Sequence, residues 1–202
     1  MSRRVHESPG PRRAPESPRE ECPTMTTEPE RLPFFVYGTL RPGEANHDRS
    51  LRGRTASEEP ARIGGALLYD GPGYPYATAG PAEAVVHGAL VRPRDTDYDQ
   101  VRTALDRLEG YTPGDPSNLY ERVTTEAVCP DGRTVRAWVY LAAEPLAARL
   151  RATGTPLPSG DWLSDPAARS RRPGAAAAPD RTPDNLDDSS RTEDPSRTAE
   201  QV

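Results

Sequence analysis

Glu109 and the segment Tyr37-Gly38-Thr39-Leu40 are the residues of this chain whose types and spacing could do chemistry. Glu109 ends an apolar-periodic stretch, Leu105-Asp106-Arg107-Leu108-Glu109, and is followed by Gly110-Tyr111. On a helical wheel it falls about 40° from Leu105 and about 20° from Tyr98, at the edge of the apolar stripe. A carboxyl placed there is partly buried, and it lies in the last turn, where the helix dipole is negative. Both effects disfavour the anion. They raise the pKa towards neutrality, where one group can take a proton and later return it. The competing reading is an exposed Glu without a role, and Arg102 on nearly the same face fits it. Tyr37–Leu40 follow the apolar run Phe34-Phe35-Val36 and precede the turn Arg41-Pro42-Gly43. A strand ending in Gly and a small hydroxyl residue presents bare N–H groups to an anion. The N–H groups after Gly38 could hold a carboxylate or a polarised carbonyl oxygen, as an oxyanion hole does. The same letters also suit a strand that simply ends at a turn. Together the two segments suggest a small-molecule site with one acid/base residue.

The elements that must position these groups follow from the pattern. Phe34–Tyr37, continuously apolar, predicts a strand buried on both faces. Residues 41–60 are polar and turn-rich. Ile63–Tyr69, with Gly64-Gly65 inside it, predicts a second strand with a bulge. Gly71–Tyr76 reads as a stiff loop carrying Tyr74 and Tyr76, and Ala84–Val91 as a third strand. The strong helix spans 97–109: Asp97 caps it with Gln100 reaching back. Tyr98, Val101, Leu105 and Leu108 form its stripe, and Gly110 ends it in a left-handed conformation. Tyr120–Val128 and Thr134–Leu141 read as strands joined through Cys129–Arg133, with Asp131-Gly132 as the hairpin signal. A weaker helix covers 144–152, and Gly160-Asp161-Trp162-Leu163 closes the domain. Five strands with one or two helices predict an α+β fold. A short sheet that must cover itself closes into a small mixed β-barrel, here with one long and one or two short flanking helices.

Composition bounds the rest. Apolar residues are 34% of the 202 and the net charge is −5; mean hydropathy is −0.81. That average hides segregation. Residues 1–30 and 164–202 lack the apolar residues that offset ordering entropy and are expected to be disordered tails around one domain, 31–163. The acidic balance, with Arg interspersed among Asp and Glu, leaves no basic field for nucleic acid. Lys is absent, which reads as compositional bias. Cys22 and Cys129 make neither a disulfide framework nor a zinc spacing. No apolar run is long enough for a membrane span and the basic N-terminus lacks a signal-peptide stretch, so a cytoplasmic protein is expected. Met25, just before the domain, is a possible start of translation. His47 and His87 lie far apart, and Asn46-His47-Asp48 reads as a turn rather than a metal site. With no nucleotide or zinc-protease motif, no metal or cofactor is expected. Most tyrosines read as packing residues with a wet hydroxyl, but Tyr111 or Tyr120, flanking the Glu109 segment, could line the pocket.

Phe35-Val36-Tyr37-Gly38-Thr39-Leu40-Arg41-Pro42-Gly43, Asn46-His47, the 71–76 loop, Leu105–Tyr111, Leu119-Tyr120-Glu121-Arg122 and Gly160-Asp161-Trp162 occur in that order over about 33–163. In this the chain resembles the γ-glutamylcyclotransferase-like superfamily, which includes γ-glutamylamine cyclotransferase and AIG2-like proteins. The resemblance implies a barrel with a cavity in its mouth. It implies Glu109 as general acid/base and Tyr37, Gly38, Thr39 and Leu40 gripping a γ-glutamyl group through backbone amides. Tyr74, Tyr111 and Tyr120 would be further pocket residues. The implied reaction turns a γ-glutamyl amine or amino acid into 5-oxoproline and a free amine without a cofactor. The implied partner is a small γ-glutamyl molecule, not nucleic acid or membrane; the leaving amine and the oligomeric state stay open. The insert 112–118 between Glu109 and Tyr120 departs from the simplest pattern and bears on the pocket mouth. Two other functions remain at this point: a non-catalytic small-carboxylate binder of the same fold, and a scaffold whose tails recruit a partner.

Overall fold

The computed structural model describes residues 30–165. The expected tails, with Cys22 and Met25, lie outside the described residues apart from Glu30, Ser164 and Asp165. In chain order the elements are β1 (Phe34–Val36), α1 (Ala45–Ser50), β2 (Thr55–Gly64), β3 (Ala66–Tyr69) and β4 (Tyr76–Ala79). Then come β5 (Val85–Pro93), α2 (Tyr98–Glu109), β6 (Tyr120–Val128), β7 (Thr134–Ala142) and α3 (Glu144–Thr153). Five strands close a barrel in the order β1-β5-β2-β6-β7, and β3 and β4 pair as a separate ribbon. The fold class is the expected α+β one with a mixed barrel. Its one parallel step is β1 against β7, at Phe34 and Trp138, where the Trp138 N–H donates to Pro33 O at 2.8 Å. No helix among the described residues is long and apolar enough to cross a membrane.

The unbroken apolar run of β1 has a direct cause. Phe35 and Tyr37 belong to the cluster with Ile63, Val86, Leu90, Val139 and Trp162. Phe34 and Val36 belong to a second cluster with Val91 of β5 and with Tyr98, Val101 and Leu105 of the long helix. Successive side chains of a strand point to opposite faces, so a strand packed on both sides must be apolar at every position. Helix α2 stops as expected: Gly110 is left-handed (φ 66, ψ 31). The Tyr111 N–H donates to Asp106 O at 2.8 Å, the six-to-one bond of a Schellman cap. The start differs. Asp97 makes no side-chain capping bond and is itself near-helical (φ −105, ψ −7). Its carboxylate instead accepts from Thr96 Oγ1 at 3.1 Å.

Four further expectations change. Residues 41–60 contain α1 and most of β2, not turns alone. Asn46-His47-Asp48 lies within α1 rather than in a turn, with Asn46 and His47 buried. Strand β2 was hidden by its polar letters: its first six residues, Thr55–Pro60, are exposed or half-buried. It pairs β6 at Arg62 and Ile63, so the strand edge at Pro60 lies outside that ladder and tolerates the missing N–H. The expected strand 63–69 is divided, since Gly65 (φ 70) turns a corner instead of forming a bulge. Part of the expected aromatic loop is strand β4, whose Tyr76 pairs with Tyr69.

Candidate active site

The last turn of α2 and the turn after β1 meet at one cavity of about 40 Å³. Of the residues singled out from sequence, Tyr37, Gly38, Thr39, Leu40, Tyr74, Glu109 and Tyr120 line it. Tyr111 stands outside the lining. Its ring meets Tyr140 edge-on at 6.4 Å, and the Arg122 guanidinium lies 5.2 Å from its centre. It therefore backs the wall. Residues 112–118 also stay out of the lining. Asn118 ties that insert to itself, accepting from Thr112 N at 2.9 Å and donating to Thr112 O at 2.8 Å.

Within that lining Glu109 is the one carboxyl, and no Arg or His joins it. Burial pushes its pKa up to about 7 from an ordinary 4.5. Arg102, the competing partner, pairs with Asp99 and Asp106 instead. Tyrosine hydroxyls surround the acid. Burial, and then the Glu109 charge, hold the Tyr37 phenol well above its usual range. Burial, the neighbouring Tyr37 and Glu109 do the same to Tyr120. These groups therefore remain neutral donors at physiological pH. The Tyr37 hydroxyl donates to Tyr140 O at 2.7 Å, which fixes the first residue of the turn against β7.

Protein donors take the carbonyls of the turn after β1. Gly38 O accepts from Arg41 N at 3.0 Å, and Thr39 O accepts from Asn46 N and His47 N at 3.1 Å each. Asn46 Nδ2 adds a bond to Thr39 Oγ1 at 2.8 Å. With these carbonyls turned to protein donors, no acceptor among the described residues takes the N–H groups of Gly38, Thr39 or Leu40. Gly38 allows close packing: a Cβ there would lie 2.7 Å from Pro75 Cδ and Cγ. Replacing Gly38 with Ala is expected to push the turn off Pro75 and raise KM for an anionic substrate about tenfold, with a smaller change in kcat, as steady-state kinetics would read.

Sequence reasoning passed over Asn46, Leu108, Pro75 and Tyr140, all in the lining. Asn46 carried a signal, since Asn46-His47 belongs to the segments that resemble the superfamily. Tyr140 carried none beyond being aromatic. Its hydroxyl donates to Asp106 Oδ1 at 2.7 Å, and Arg122 Nη1 donates to Asp106 Oδ2 at 3.1 Å. Arg122 is thus occupied one helical turn from Glu109. No group of three or more His, Cys, Asp or Glu able to hold a metal occurs among the described residues. His47 Nε2 lies 2.8 Å from Glu58 Oε1.

The raised pKa couples to stability. Below pH 4.5 both folded and unfolded chains hold the Glu109 proton, and the carboxyl makes no difference. Between 4.5 and about 7 the folded chain keeps a proton that the unfolded chain has lost, so stability falls as pH rises. Above 7 the penalty is complete, about 3 kcal/mol. Glu109→Gln should therefore melt higher than the parent at pH 8 and show no such gain at pH 4, in thermal unfolding at the two pH values.

The family model for γ-glutamyl cyclotransferase, AIG2-like proteins matches residues 34–164. The chain is 35% identical over 110 residues to the γ-L-glutamyl-butirosin B γ-glutamyl cyclotransferase of Niallia circulans, covering 54% of this chain and 65% of that protein. The chain thus spans just under two thirds of that relative's length. It is 33% identical over 113 residues to a provisionally named γ-glutamylcyclotransferase of Halalkalibacterium halodurans, covering 56% of this chain and 91% of that protein. Among solved structures, an AIG2-like protein of Mus musculus overlaps 55% of this chain and 77% of its own, with TM-score 0.43 and 23% identity. A family match over most of the domain, with Glu109 and the Tyr37–Leu40 turn at one cavity, makes this chain a member of the γ-glutamyl cyclotransferase, AIG2-like family.

Proposed function

We propose that the protein cyclises a γ-glutamyl amine or γ-glutamyl amino acid to 5-oxoproline and releases the free amine. One observation carries this: a carboxyl with a pKa of about 7 shares a cavity with backbone N–H groups that no acceptor among the described residues takes. At neutral pH such a carboxyl is about half ionised. The ionised form takes a proton from the α-ammonium. The freed amine attacks the γ-carbonyl carbon, and a C–N bond closes the five-membered ring. The proton then passes from Glu109 to the departing nitrogen as its bond to carbon breaks. The regenerated carboxylate takes the second proton of the ring nitrogen and hands it to the released amine, which leaves as an ammonium, so the lactam N–H is neutral and Glu109 ends ionised as it began. The N–H groups of the Gly38–Leu40 turn hold the α-carboxylate. Nucleophile and electrophile belong to one molecule, so the protein has chiefly to fold that molecule into reactive geometry.

The butirosin relative supports the reaction class, since that protein is named as a γ-glutamyl cyclotransferase. The test is a panel of γ-glutamyl amines, amino acids and peptides incubated with the purified protein, with 5-oxoproline followed by mass spectrometry. Release that vanishes in Glu109→Gln is the expected result. Ligand binding without release from any member would overturn the reaction and make the protein a binder.

A further inference from the structure

The Gly38–Gly43 turn is held mostly by its neighbours in sequence, and one polar tie reaches far beyond them. Arg41 Nη1 donates to Asp161 Oδ1 at 2.6 Å. The two side chains are 18% and 26% exposed, which shields the pair from most of the screening a surface ion pair suffers. Asp161 stands on a stiff mount. Its Oδ1 also accepts from Leu163 N at 3.1 Å. On one side Gly160 (φ 60) presses against β5, where a Cβ would lie 2.0 Å from Val85 O, and its carbonyl accepts from His87 N at 2.8 Å. On the other, Trp162 is 1% exposed in the same cluster as Phe35 and Tyr37. The carboxylate thus sits between a residue wedged on a strand and one sunk in the core. Opposite it, the turn hangs from a three-residue strand.

We propose that Asp161 is a positioning residue of the active site: through Arg41 it holds the Gly38–Leu40 amides in the geometry that grips the substrate's α-carboxylate. This rests on the function proposed above. The segment that ends the described fold thereby reaches the site without touching substrate. The bond acts on the turn and not on Glu109, so its loss should weaken binding and leave proton transfer alone.

Kinetics on the full chain, with a panel member that the parent turns over, tests this. Asp161→Asn is expected to raise KM about tenfold while kcat stays within about threefold. The acid limb of the pH profile, which belongs to Glu109, should not move. Arg41→Gln should match it, and the double variant should be no worse than either single one, because one bond is lost in all three. Exchanging the charges, Arg41→Asp with Asp161→Arg, should recover part of the KM. If Asp161→Asn does not fold, Arg41→Gln removes the same bond and gives the answer. An unchanged KM in folded variants would overturn the inference and leave the proposed function standing. So would a rise in KM accompanied by a fall in both kcat and melting temperature, the mark of general structural damage. A parent chain that turns over no panel member would overturn the function, and the inference with it.

Discussion

Glu109→Gln is expected to release 5-oxoproline about a thousandfold more slowly than the parent chain, within the range that a positioned acid/base contributes. Gln keeps the size of the side chain and its hydrogen-bonding reach but cannot carry a proton from the α-ammonium to the leaving nitrogen. The cavity should survive the change, because Glu109 pairs with no cation in the lining and burial alone causes its shift. The pH profile adds a second signature. In the parent, kcat/KM should climb as pH rises through about 7, where the carboxyl ionises; in Glu109→Gln that limb should disappear. Initial rates across pH 5–9 would check both. Equal rates in the two proteins would remove Glu109 from the mechanism.

Gly88→Ala should be the most damaging small change in the barrel. Gly88 lies in β5 opposite Ala61 of β2. A Cβ there would lie 2.3 Å from Val36 O and 2.7 Å from Phe35 Cζ. The oxygen belongs to the backbone of β1, which is paired to β5 on one side and β7 on the other and has nowhere to go. Relief requires the β1–β5 seam to open, which would also carry Tyr37 and the turn away from the cavity. The expected cost is about 3–5 kcal/mol, against a gain of a few tenths for Gly→Ala where space allows. Thermal or urea unfolding would measure it. A variant as stable as the parent would mean that the seam tolerates a methyl group.

Where one residue's environment is decided by its sequence neighbours, the letters were sufficient. Glu109 followed by Gly110 at the end of an apolar stripe located the helix end, and Asp131-Gly132 located the hairpin, where Gly132 has φ 86. Strand β1 was legible because burial on both faces leaves no polar position. Strand β2 was not, since Glu58, Pro60 and Arg62 face solvent and its order comes from the long ladder with β5. The site divides in the same way. The Tyr37–Leu40 turn and Glu109 are each local features. That Tyr140 joins the lining and Tyr111 does not depends on how β7 sits against α2, a relation between residues about thirty positions apart that no local pattern encodes.

The placement of β1 also bears on when the protein becomes itself. Phe34, Phe35 and Val36 emerge near the start of the chain, yet their neighbours are Leu90 and Val91 of β5 and Trp138 of β7. During synthesis this apolar triplet waits, unsheltered, until most of the domain has been made. Contacts of such separation slow folding and lengthen the time in which a sticky strand can find the wrong partner. Tyr37 and its turn are attached to that strand. The cavity therefore cannot close before β7 is made, because the Tyr37 hydroxyl at the head of the turn is held by Tyr140 O of that strand.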